Sequence, residues 1–182
     1  MLFHEIALPG AMLIEPEPRH DHRGSFARMW CAREFEQHGL STRMSQCNLS
    51  VSERRGTLRG MHFQQAPYQE AKLVRCQLGS IYDVIVDLRP ASPTYKRWFG
   101  VELTAANHLM LYVPPGFAHG FQTLQDNTEV FYQVSEFYNH EAERGVRWND
   151  PAVAIVWPIS DPILSERDRN FPEYQGGLRP NR

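Results

Sequence analysis

Several things are scarce in this chain, and each scarcity excludes something. It has only three cysteines (Cys31, Cys47 and Cys76), and no CxxC pair. That excludes a disulfide framework and a zinc knuckle, and unpaired thiols suit a reducing, cytoplasmic setting. The charge is nearly balanced, 19 basic against 21 acidic residues, for a net of −2. A non-specific binder of nucleic acid would carry a strong basic excess, so no nucleic-acid partner is expected. No apolar run approaches the ~20 residues of a membrane span, so no membrane partner is expected either. The opening residues lack a basic stretch and are interrupted by Glu5 and Pro9, which does not read as a secretory signal. No fixed-period repeat or low-complexity stretch is present.

What remains is an ordinary globular composition. Hydrophobic residues make up 42% and aromatics 12% of 182 residues, which is incompatible with intrinsic disorder. The length predicts a single domain over residues 1–182. One early helix is predicted, Ala32 to His38, closed by Gly39. From about residue 44 to 138 strands dominate. Lys72–Arg89 holds two apolar runs split by Gly79 and Ser80, and in the second run Ile81, Asp83, Ile85 and Asp87 alternate with Tyr82, Val84, Val86 and Leu88. Trp98–Thr104 and His108–Val113 read as strands, as does Glu129–Tyr138. On that last strand Tyr132 and Tyr138 would share a face. Close strands without intervening helices favour an antiparallel sandwich or barrel. Beyond Trp148 prolines accumulate, which predicts wrapped loops and short helices, and the last ~10 residues are expected to be mobile.

Four clusters hold chemistry-bearing residues: Arg59-Gly-Met-His62-Phe-Gln64 with Lys72 after it, Pro114 to Phe121 around His119, Tyr132, and Leu164 to Asp168. Each alone has a plain explanation. A strand histidine is commonly a satisfied core residue. Ser165 with Asp168 has the spacing of a helix capping box. Tyr132 and Tyr138 could be core aromatics, and a lysine opening a strand is usually solvated.

Taken together, these segments resemble the dTDP-4-dehydrorhamnose 3,5-epimerase family, a branch of the cupins. The matching stretches run in order from Asp21-His22-Arg23-Gly24 with Phe26, through Gln46-Cys47-Asn48-Leu49-Ser50, Arg59 to Gln64, Lys72-Leu-Val-Arg75, Gly79 to Arg89 and Pro114 to Phe121, to Trp148-Asn-Asp-Pro151 and Leu164-Ser165 with Asp168. The resemblance implies an all-β fold, a double-stranded β-helix (cupin jelly roll) with a few short peripheral helices. It also implies a homodimer that exchanges N-terminal strands.

The implied reaction inverts C3 and C5 of a nucleotide-diphosphate-linked 4-keto-6-deoxyhexose, with no metal and no cofactor. Both carbons flank a ketone, so their protons can be removed if the enolate is stabilised. By resemblance His62 is the base, Asp168 orients it, Lys72 stabilises the enolate oxygen and Tyr132 is the acid on the opposite face. An imidazole near neutrality suits abstraction, and a fixed cation favours the enolate over the ketone. Substrate contacts carry over to Arg23, Gln46, Asn48, Arg59, His119, Tyr138, Glu143 and Arg167. Arg28 stands where the family carries a glutamate in the pocket. Since thymine offers an N3–H donor and cytosine an acceptor, Arg28 opens the alternative of a CDP-linked substrate. A single-carbon epimerase is a further alternative. A metal-dependent cupin is the distant one, with His62, Glu70 and His119 as ligands and Gln64 where a second histidine would stand.

Overall fold

The computed structural model describes residues 1–174; the expected mobility of the last ~10 residues falls largely outside that range. Thirteen strands and two short helices are present among the described residues. The first sheet has six strands in the order β1 (Leu2–Glu5), β2 (Met12–Glu15), β10 (Met110–Val113), β7 (Lys72–Leu78), β12 (Thr128–Val134), β5 (Gln46–Ser52). The second has five: β13 (Glu143–Gly145), β6 (Leu58–Gln64), β11 (Phe117–Thr123), β8 (Ser80–Asp87), β9 (Trp98–Thr104). A separate hairpin joins β3 (Arg19–Asp21) to β4 (Gly24–Phe26). From β5 to β13 the chain changes sheet at every step except β8 to β9. This is the two-sheet antiparallel architecture of a jelly roll, as expected.

Strand β8 shows why the sequence folds this way. Its Ile- and Val-rich run is buried on both faces, as in a central strand. Ile81 and Ile85 enter an apolar cluster between the sheets, with Val74, Leu111, Phe121 and Val130. Val84 and Val86 face outward into a second cluster with Leu58, Met61, Val146 and Trp157, supplied in part by the wrapped C-terminal segment. The alternation along this strand therefore separates two cores, not core from solvent. A third cluster seats helix α1 (Ala32–Gln37) through its one buried residue, Phe35, against Tyr112 on the outer side of the six-stranded sheet. Gly39 beyond α1 adopts φ +69°, the left-handed geometry that closes a helix.

One expectation needs correction. The strand carrying Tyr132 ends at Val134, so Tyr138 lies beyond it and the shared-face argument does not hold. The chain bends at Ser135 and Glu136. Ser135 donates its N–H to the Ala71 carbonyl in continued register, but the Ala71 N–H goes to the Ser135 hydroxyl instead of its carbonyl, and the ladder ends there.

Candidate active site

At one end of the two sheets lies a cavity of about 680 Å³. One wall comes from β5, β7 and β12 and presents Asn48, Lys72 and Tyr132; the other comes from β6 and β11 and presents Arg59, His62 and His119. Helix α2 (Glu166–Arg169) and β13 close the rim with Asp168, Arg167 and Glu143.

His62 is held by long-range partners. Its Nε2 lies 2.7 Å from Asp168 Oδ1, and the Gly60 N–H donates to Asp168 Oδ2 at 3.2 Å. Gly60 and His62 alternate on β6, so one carboxylate is gripped from one strand face by both oxygens. The strand can do this because β6 and β11 approach closely: a Cβ on Gly60 would lie 2.6 Å from Gly120 Cα. Burial alone would raise the Asp168 carboxyl, but the hydrogen bond and charge of His62, with Gly60 and Arg167, bring it below its ordinary value of 3.8. The capping box is half-formed. The Ser165 hydroxyl accepts the Asp168 N–H at 3.1 Å, yet the Asp168 side chain is turned to His62 instead.

With Nε2 facing the carboxylate, His62 Nδ1 bonds to no protein group among the described residues and is the nitrogen free to take a proton. Arg167 Nη2 approaches Nε2 at 3.3 Å, but a nitrogen donating to Asp168 cannot also accept, so the guanidinium acts there as a neighbouring positive charge. Arg167 also bonds Glu143 Oε2 at 2.8 Å, the same oxygen that takes the Tyr138 hydroxyl at 2.8 Å. That hydrogen bond, and then burial, raise the Tyr138 phenol above its usual range. Phe171 stands edge-on to the His62 ring at 5.8 Å, in space left free above Gly145.

On the facing wall, Lys72 is buried, not solvated. Tyr132 is two-thirds of the way along β12, with Asn48 beside it on β5. Its hydroxyl bonds to no protein group among the described residues. Burial first, and then the charge of Glu70, raise it above the usual phenol range against the opposing pull of Arg59. His119 pairs with His62 across the ladder and bonds the fully buried Asp83 at 2.8 Å. Arg59 is steadied by Ser52 Oγ and the Val51 carbonyl, and Gln46 Oε1 accepts the Tyr138 N–H at 2.7 Å.

Eleven of the thirteen predicted site residues thus line one cavity. Arg23 and Arg28 do not. Both belong to the projecting β3–β4 region. Arg23 is ion-paired with Asp21 at 2.6 Å, and Arg28 stands 3.8 Å from Glu34 in a separate pocket beside Met1. Both strands of the hairpin are exposed along their whole length among the described residues. Two participants were missed. Phe171 lies beyond the end of α2 and meets the His62 ring only through the fold, so no local pattern in the sequence marks it. Glu70, entertained as a metal ligand, turns instead to Lys72 at 3.2 Å. Among the described residues no three His, Cys, Asp or Glu side chains converge as a metal site.

A family model described as dTDP-4-dehydrorhamnose 3,5-epimerase matches residues 5–176. A dTDP-4-dehydrorhamnose 3,5-epimerase of Shigella flexneri is 42% identical over 92% of this chain and 92% of its own length. The crystal structure of the Bacillus anthracis enzyme of that name, with TDP and PPi bound, superposes with a TM-score of 0.92 at 45% identity, covering 95% of this chain and 99% of that one. A 3'-monoepimerase of Streptomyces bikiniensis in complex with dTDP-quinovose matches with a TM-score of 0.87 at 35% identity, over 93% of this chain and 86% of that one.

Proposed function

The chain belongs to the dTDP-4-dehydrorhamnose 3,5-epimerase family, and from that premise we propose that it epimerises C3 and C5 of dTDP-4-dehydro-6-deoxyglucose through an enolate. The observation that carries this reading is the placement of an oriented imidazole on one wall of a cavity and a cation and a free phenol on the other. Inversion needs a proton removed from one face and returned to the other. His62 Nδ1 takes the proton, and Asp168 stabilises the imidazolium that results. Lys72 meets the charge that develops on the keto oxygen, which lowers the barrier because the enolate is bound more tightly than the ketone. Tyr132 returns a proton from the opposite side; a phenol is a weak acid but adequate for an enolate carbon. Arg59, His119, Gln46 and Asn48 hold the diphosphate and nucleotide, with guanidinium geometry matched to phosphate.

The enzyme works as a single-domain, cytoplasmic homodimer. Its strands β1 and β2 complete its own sheet, so the element offered to a partner is the β3–β4 hairpin. Phe26 there is 71% exposed, and Leu49 and Val51 are exposed on the outer face of β5. An apolar tip and an apolar sheet face of this kind suit burial against a second copy. The exchange would carry Arg23 and Arg28 into the partner's cavity. Light scattering would give twice 21.1 kDa; a monomeric mass at assay concentrations would remove the dimer.

Proton NMR in D₂O with dTDP-4-keto-6-deoxyglucose tests the reaction, because uptake at C3 and C5 is read separately. Uptake at both carbons is expected. Uptake at one alone would make the protein a monoepimerase, and uptake at neither would overturn the reading.

A further inference from the structure

Glu70 is left unused by the chemistry above, yet it sits inside the catalytic cavity. Its side chain is 12% exposed and that of Lys72 10%, so the pair lies almost out of water. Each carboxylate oxygen has its own partner. Oε1 is 3.2 Å from Lys72 Nζ, and Oε2 accepts from Gln64 Nε2 at 3.3 Å. Gln64 is itself fixed: its two amide hydrogens are shared among Glu70 and the carbonyls of Tyr68 at 2.9 Å and Phe137 at 3.2 Å, and its oxygen accepts the Asn139 N–H at 2.6 Å. Glu70 is therefore clamped to a frame that ties together the loops before β7 and after β12.

A lysine has a flexible four-carbon stem, and its ammonium carries three donors. One donor on Glu70 leaves two for the cavity. A counter-charge offsets the cost of keeping a nearly buried ammonium, and fixing it in advance removes reorganisation when charge develops on a substrate oxygen. We propose that Glu70 is a positioning residue for the epimerisation, holding the Lys72 ammonium against the cavity wall where an enolate oxygen requires it. The proposal rests on the reading of Lys72 given above.

Glu70 and Tyr132 line the same cavity, and the charge of Glu70 has a second effect there. Its negative charge lies near Tyr132 and disfavours the phenolate, which keeps the proton that Tyr132 must donate. The other groups around Tyr132 are Asn48 and Val74 on the adjacent strands, Lys72, and Arg59, His62 and His119 across the cavity. Of these, Arg59 opposes Glu70.

The test is Glu70→Gln in the full-length enzyme. The variant keeps the shape and removes the charge. We expect kcat to fall by on the order of tenfold to a hundredfold, the scale of a displaced catalytic group. The Kd for dTDP should stay within about twofold, and the alkaline limb of the kcat–pH profile should move to lower pH. Glu70→Asp keeps the charge on a shorter stem, so its kcat should fall less and its alkaline limb should stay in the parental position. It also decides the question if the glutamine variant does not fold. An unchanged kcat in the variant that folds overturns the proposal, whatever the limb does. So does a reduced kcat in Glu70→Gln with an unmoved limb, or dTDP affinity lost in step with kcat, since either marks a purely structural role. Failure of the parent enzyme to exchange deuterium would overturn the underlying reading instead.

Discussion

Two aspartate–histidine pairs stand side by side in this fold, and they are built differently. His62 and His119 are directly opposed on β6 and β11. The first pair spans 106 residues, from a strand to helix α2, and its imidazole is 26% exposed. The second spans 36 residues between adjacent strands, and its imidazole is 7% exposed over a carboxylate with no exposure at all. Their contact distances, 2.7 and 2.8 Å, are nearly the same. What differs is access to water and the completeness of the shell. Both Asp168 oxygens are bonded, whereas Asp83 Oδ2 is buried with no hydrogen-bond partner among the described residues. A pair that exchanges protons with a substrate needs one nitrogen open to the cavity and a carboxylate held in place. A pair that fixes a donor for a bound anion needs rigidity, and burial supplies that.

The widest break between the two pairs is expected from His62→Ala. Turnover should fall by at least ~10²–10⁴, the scale of general acid–base catalysis, with dTDP affinity almost unchanged. Full activity would remove His62 as base. Asp168→Asn comes next, with a loss of about 10²–10⁴ in kcat, since it keeps the shape and removes the charge that stabilises an imidazolium. This variant also carries a pH signature. The folded carboxyl lies below its ordinary 3.8, so the stabilisation it provides is complete above that value and is lost as pH falls through the lower folded value. Thermal melts of parent and variant should therefore differ most at neutral pH and converge in strong acid; a gap that widened with acid would contradict the assignment.

Tyr132→Phe is expected to separate two readouts. Deuterium exchange should survive better than net inversion, because abstraction does not need the acid. Equal losses would give Tyr132 another role. The smallest effect on turnover is expected at the second pair. Asp83→Ala leaves the buried His119 ring without its hydrogen-bond partner, so stability should drop by about 1–3 kcal/mol. At a temperature where the variant is folded, kcat at saturating substrate should stay within about tenfold, with the loss falling on KM. A collapse of kcat matching that of His62→Ala would place both pairs in the proton chemistry.

The fold was legible where the pattern was local. The break at Gly79-Ser80 separates β7 from β8 as predicted, and the helix before Gly39 ends within one residue of its expected end. The site was legible as a set of residue types, and eleven of thirteen meet in one cavity. The departures have physical causes. Tyr138 reaches the cavity from a bend, because the Ser135–Ala71 bonds end the strand early. Arg23 lies in, and Arg28 just beyond, a hairpin whose strands are exposed among the described residues. Glu70 looked like a metal ligand because spacing reports which residues are near in sequence. It does not report that Lys72 turns towards the carboxylate.

The sequence by itself determined the antiparallel class, the strand breaks, the family and the residue types of the chemistry, because alternation, glycine breaks and ordered motifs are written along the chain. Only the tertiary structure decided the pairings: which aspartate serves which histidine, which oxygen of Glu70 meets Lys72, and which side chains face each other across the cavity. Those depend on sheet crossing and on the close approach of Gly60 to Gly120. Such contacts join residues far apart in sequence, and hydrogen bonds and buried charges act over ångströms in space.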